Sequence, residues 1–139
     1  PLAEVLRRLG SRHVLIVCSE DGLDELSVSA ASRVAELKDG RIREYRIKPQ
    51  DFDLDLSDRD ELIVETAEES LEMIAMALTA DDHPASDIVA LNAGAAIYGA
   101  GCAHSLEDGV EAAWEVMESG EAMKKLEALA RLTQELKDN

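Results

Sequence analysis

The sequence predicts an α/β fold: a partial parallel-type sheet with a β-hairpin, covered by several helices. Three observations carry that prediction. His13-Val-Leu-Ile-Val-Cys18 is a compact apolar run rich in β-branched residues, the pattern of a strand covered on both faces, as in a parallel sheet. Residues 33–38 and 41–47 flank Asp39-Gly40, a dipeptide that tolerates the positive φ angles of a two-residue hairpin turn. From Thr66 to the C-terminus, apolar residues recur at helical spacing in four successive stretches.

The elements follow in order. Leu2, Val5, Leu6 and Leu9 sit at helical spacing and Gly10 follows as a left-handed cap, so residues 2–9 should form a short helix. The strand at 13–18 leads into the polar turn Ser19-Glu-Asp-Gly-Leu-Asp-Glu25. In the hairpin, a turn at Asp39-Gly40 sets Val34 opposite Tyr45, Leu37 opposite Ile42 and Glu36 opposite Arg43. Residues 48–60 are an aspartate-rich loop. Thr66-Ala-Glu-Glu69 has capping-box spacing and opens a helix whose stripe is Leu71, Ile74, Ala75 and Leu78. From Ser86 to about Ala103 the chain is apolar nearly all round, which indicates a helix buried on most sides. Its small residues, among them Gly94 and Gly99, would admit a neighbouring backbone. Ser105-Leu-Glu-Asp108 opens a fourth helix with Val110, Ala113, Trp114 and Met117 inward. Ser119 caps the last, striped by Ala122, Leu126, Leu129 and Leu136. No linker or repeat divides residues 1–139, which read as a single α/β segment. A strand and a hairpin are too few for a closed or two-sided sheet, so a partner or a longer polypeptide should supply more.

Charge excludes several functions. The 139 residues carry 14 basic and 30 acidic groups, a net charge of −16. Residues 1–50 hold 9 basic and 8 acidic groups and residues 51–139 hold 5 and 22. Binding to nucleic acid or to an anionic membrane needs a cationic surface, and aromatic residues for stacking on bases make up only 3%. Neither partner is expected. The acidity reads as a solvated surface more readily than as adaptation to a salty cytoplasm. The apolar run 88–103 falls short of the roughly 20 residues that span a bilayer. The stretch behind Pro1 lacks the basic-then-apolar order of a signal sequence, so a cytoplasmic location is expected. Cys18 and Cys102 read as small core residues rather than as a disulfide or zinc ligands.

Candidate chemistry begins where the first strand ends, because ligands of open α/β sheets collect beyond the carboxyl ends of strands. Asp24 and Glu25 are adjacent hard oxygen donors. Such a pair suits Mg²⁺, which takes a few carboxylates and completes its shell with waters and substrate phosphates. The residues alone leave two readings open, a magnesium site or an ordinary acidic turn. His13, His83 and His104 share no triad spacing with Ser or Asp. Asn92, on the apolar helix, must be hydrogen-bonded and reads as structural. Gly99-Ala-Gly101 lacks the rest of a dinucleotide fingerprint and reads as packing.

Four segments occur in the order found in anthranilate phosphoribosyltransferases: Val17-Cys-Ser-Glu-Asp-Gly-Leu-Asp-Glu-Leu-Ser27, Val34-Ala-Glu-Leu-Lys-Asp-Gly40, Pro49-Gln-Asp-Phe52 and Leu91-Asn-Ala-Gly-Ala-Ala-Ile-Tyr98. Gly109-Val and Ser119-Gly-Glu-Ala122 with the closing leucine helix are similar to that family's end. The chain resembles the C-terminal half of the family's nucleoside-phosphorylase-like α/β domain over nearly all its length. The resemblance implies transfer of the phosphoribosyl group of phosphoribosyl pyrophosphate to anthranilate in tryptophan biosynthesis. It also implies Mg²⁺ as cofactor and Asp24 and Glu25 as its ligands, matching the Asp-Glu pair of the family's D-G-L-D-E motif. A homodimer is implied for the complete enzyme, together with a partner part, the N-terminal half of the same protein. That half would carry the G-T-G-G-D pyrophosphate loop, the N-x-S/T phosphate segment and the K-H-G-N basic stretch, none of which occurs here. The chain alone should therefore be inactive, and no catalytic or anthranilate-binding residue is assigned. Cys18-Ser19 departs from a frequent His-Gly pair, and Glu65-Thr-Ala-Glu68 departs from a glycine-containing step. The alternatives are a pyrimidine-nucleoside phosphorylase relative and a non-catalytic acidic interaction module.

Overall fold

The computed structural model describes residues 1–137. Helix α1 (Leu2–Arg8) precedes strands β1 (His13–Ser19), β2 (Ser32–Lys38) and β3 (Arg41–Ile47). Short 3₁₀ turns at Pro49–Phe52 and Arg59–Leu62 interrupt the expected loop. Helices α2 (Ala67–Leu78), α3 (Pro84–Gly99), α4 (Leu106–Glu118) and α5 (Glu121–Lys137) complete an α/β fold.

The hairpin register is the expected one: Val34 pairs with Tyr45, Leu37 with Ile42 and Glu36 with Arg43. Asp39 and Gly40 both take positive φ (50° and 76°), which is why this dipeptide closes the turn. Pairing of the first strand departs from expectation. The sheet is not parallel-type; it has the order β1-β2-β3, and β1 runs antiparallel to β2 with His13 opposite Lys38 and Ser19 opposite Ser32. The physical reason lies in the connection. Residues 20–31 form an irregular loop, without the helix that usually makes the crossover between parallel strands.

One face of the sheet packs on α3. Leu15, Val17, Val34 and Tyr45 lie against a core containing Leu26, Leu91, Leu106 and Val110. A buried polar knot ties β1, β2 and α3 together on this face. Tyr98 Oη donates to Glu36 Oε1 at 2.7 Å, and His13 Nε2 lies 3.0 Å from the same oxygen. Lys38 Nζ donates to Tyr98 Oη at 3.1 Å. Burial pushes the Glu36 carboxyl up, but the Tyr98 and His13 hydrogen bonds outweigh it and hold the group below its usual range. Glu36 thus turns inward even though Arg43 is its ladder neighbour. On the opposite face α1 covers only part of the sheet, and Pro1 lines an open groove with Ile16, Cys18 and Ala35. Cys18 is exposed there and Cys102 is exposed in the turn after α3, so neither is the core residue expected.

The helix starts are legible in hydrogen bonds. Thr66 Oγ1 accepts from the Glu69 N–H at 3.1 Å, and the Glu69 carboxylate accepts from the Thr66 N–H at 3.2 Å. Ser105 and Asp108 repeat the arrangement at α4. His83 caps α3, its Nδ1 accepting from the Ala85 N–H at 3.1 Å. Val110, Ala113 and Met117 are buried as expected. The stripes of α2 and α5 are not: Leu71, Ile74, Leu129 and Leu136 are exposed, and Ala77 is the buried residue of α2.

Helices α3 and α4 touch backbone to backbone at two glycines. A Cβ at Gly94 would lie 2.6 Å from the Val110 Cα and N atoms, and one at Gly109 would collide with the Gly94 carbonyl oxygen. In an open helix interior Gly→Ala stabilises by up to about 1 kcal/mol. Overpacking costs about 1–3 kcal/mol, and here the obstacle is main chain that cannot rotate aside. Gly94→Ala is therefore expected to lower the urea midpoint of unfolding; an unchanged or raised midpoint would show that the helices separate freely.

Candidate functional site

The turn after β1 is built by its own side chains. The Asp21 carboxylate accepts from Ser19 Oγ (2.5 Å), Ser27 Oγ (2.6 Å) and the Leu23 N–H (3.3 Å). Gly22 takes φ 93°, which lets the chain reverse, and the Ser19 N–H donates back to the Leu23 carbonyl at 2.9 Å. Burial pushes the Asp21 carboxyl up, yet the Ser19, Ser27 and Leu23 bonds and the charge of Arg59 outweigh it and hold it below its ordinary value.

The far end of the turn is fastened to α3. Asn92 Oδ1 accepts from the Leu26 N–H at 3.0 Å, and its Nδ2 donates to the Leu26 carbonyl at 2.8 Å and to the Ile88 carbonyl at 2.9 Å. The amide thus does what an extra strand would do for Leu26, and the structural role expected of Asn92 is the one found. Leu26 and Val28 are wholly buried beside it.

Between these two fastenings stand Asp24 and Glu25, both exposed. They line a groove of about 430 Å³ with Arg59, Ile63, Met73, Ile74 and Ile88. Neither carboxylate is in an ion pair among the described residues. Among those residues no group of three or more His, Cys, Asp or Glu side chains is placed to hold a metal ion. The donor chemistry nonetheless fits Mg²⁺. Two free, hard carboxylates on a fixed turn are what an ion needs when water and substrate oxygens fill the rest of its octahedron.

In the sequence Asp21 is one acid of the polar turn 19–25, and the partners that give it an organising role appear in the structure. Its bond to the Leu23 N–H is a local Asx-type contact that a sequence can suggest. Its bond to Ser27, six residues away, and the contact from Arg59, thirty-eight away, leave no trace at sequence level. Among the described residues no helix is long and apolar enough to cross a membrane.

Comparison with known proteins places the chain in a family. Residues 1–123 match the model of the glycosyl transferase family, a/b domain. The chain is 52% identical over 137 residues to the anthranilate phosphoribosyltransferase of Teredinibacter turnerae, covering 96% of this chain and 40% of that protein. The crystal structure of anthranilate phosphoribosyltransferase from Thermus thermophilus superposes with a TM-score of 0.80 at 38% identity, covering 92% of this chain and 37% of that one. A Saccharomyces cerevisiae anthranilate phosphoribosyltransferase solved in complex with PRPP and Mg has the same fold, with a TM-score of 0.70 at 21% identity over 83% of this chain and 33% of that one. The chain thus spans about 40% of the length of the curated relatives it matches.

Proposed function

Since this chain belongs to the glycosyl transferase family and forms part of its a/b domain, we propose that it is the C-terminal part of an anthranilate phosphoribosyltransferase. The observation that carries the proposal is 52% identity to such an enzyme over 96% of the chain. The complete enzyme transfers the phosphoribosyl group of phosphoribosyl pyrophosphate to the amine of anthranilate, in the cytoplasm, as a step of tryptophan biosynthesis. Residues 1–139 act as one segment of its catalytic domain. The same identity weighs against a pyrimidine-nucleoside phosphorylase and against a non-catalytic acidic module.

Asp24 and Glu25 would hold Mg²⁺ in the groove beside Arg59. When bound, the ion neutralises charge on the pyrophosphate leaving group as the ribosyl carbon becomes cationic. The work of this chain's own residues is positioning. Asp21 and Asn92 fix the turn at both ends, so the two carboxylates do not need to be ordered when the substrate arrives. The N-terminal part of the same protein supplies the phosphate-binding loop and the basic stretch that complete the site, and the complete protein is a homodimer.

The test uses the full-length protein with anthranilate, phosphoribosyl pyrophosphate and Mg²⁺. Magnesium-dependent loss of anthranilate with release of pyrophosphate is expected. Absence of that product, with the protein folded and magnesium present, would overturn the proposal.

A further inference from the structure

Arg59 occupies the start of the 3₁₀ turn Arg59–Leu62 and reaches back to the turn after β1. Its Nη1 donates to the main-chain carbonyl of Asp21 at 3.1 Å. An exposed arginine gains little by pairing with an exposed carboxylate in water. Arg59 makes no such ion pair among the described residues, although it lines the same groove as Asp24 and Glu25. It spends its one hydrogen bond on the backbone of the turn instead.

The consequence is mechanical. The turn's own bonds, from Ser19, Ser27 and Asn92, hold its inner side and its far end. The Asp21 carbonyl is held by Arg59 alone among the described side chains. We infer that Arg59 is a positioning residue for the magnesium site, fixing the turn through the Asp21 carbonyl while leaving both carboxylates free for the ion. This inference rests on the assignment of Mg²⁺ to Asp24 and Glu25 above. A partner that orients ligands without touching the metal is typically worth 10–100-fold in metal affinity.

The experiment uses the full-length protein and reads Mn²⁺ binding by electron paramagnetic resonance, with phosphoribosyl pyrophosphate present and anthranilate omitted, so no turnover is needed. Arg59→Ala is expected to weaken Mn²⁺ binding about tenfold and to shift the Mg²⁺ dependence of activity by a similar factor, with the thermal midpoint unchanged. Arg59→Lys keeps one donor at the right length scale and should recover a good part of the loss. Binding by Arg59→Ala that overlays the parent overturns the inference, as does an Arg59→Lys variant no better than Arg59→Ala. Asp24→Asn separates the two levels. If it binds Mn²⁺ as the parent does, the metal assignment itself falls and takes the inference with it. If it is weakened while Arg59→Ala is not, the inference alone falls.

Discussion

Asp24→Asn or Glu25→Gln in the full-length protein is expected to cut turnover about 100-fold or more at low millimolar Mg²⁺, the scale of losing one charge-stabilising group at a reacting centre. Each change keeps the size of the side chain and removes its charge. Both groups are exposed, so the fold should not notice. Part of the loss should return as Mg²⁺ is raised, because a weaker site is filled by mass action. Asp21→Asn is the informative contrast. Its carboxylate accepts three part-buried bonds inside the turn, so the amide should cost stability, about 1 kcal/mol for a lost hydrogen bond, with a smaller shift in magnesium dependence. Titrations of activity against Mg²⁺ for the three variants check this. Curves for Asp24→Asn and Glu25→Gln that overlay the parent would return the segment to an ordinary acidic turn.

The isolated 139-residue chain is expected to show no phosphoribosyl transfer, with turnover at least about 10⁴-fold below the full-length protein, because several charge-stabilising groups are missing at once and each contributes about 10²–10³. Within residues 51–139 there are 5 basic groups against 22 acidic ones, and such a surface repels a polyanionic substrate. Among the described residues Arg59 is the only cation that lines the groove, and its hydrogen bond there goes to the protein backbone. An assay of the isolated chain beside the full-length protein, both with anthranilate, phosphoribosyl pyrophosphate and Mg²⁺, decides the point. Comparable turnover would mean that the phosphate-binding elements assigned to the N-terminal part are dispensable.

Much of the site was open to reading along the chain because its parts are neighbours in sequence. Asp24 and Glu25 are adjacent and follow a strand end, and their exposure on a turn is a local property. The hairpin register needed only Asp39-Gly40 and alternating side chains, and all three expected pairs are found. The capping box at Thr66 is a four-residue pattern that formed as read, and the helix start read at Ser105 carries the same arrangement.

The sequence by itself determined whatever depends on chemistry within a few residues: helix starts, the hairpin and the acidic turn with its two candidate ligands. Its resemblance to a family adds the reaction proposed above. Only the tertiary structure decided which surface meets which. The apolar run 13–18 shows that a strand is there, but the direction of its partner depends on how residues 20–31 return, and they return without a helix, into an antiparallel sheet. An amphipathic stripe states that a face is apolar without stating what covers it, and Leu71, Leu129 and Leu136 remain exposed. The rigidity of the site belongs to the same class. Asn92 holds Leu26 across 66 positions and Arg59 holds Asp21 across 38. Contacts at such separation exist only after the chain has closed those loops, so no local pattern encodes them.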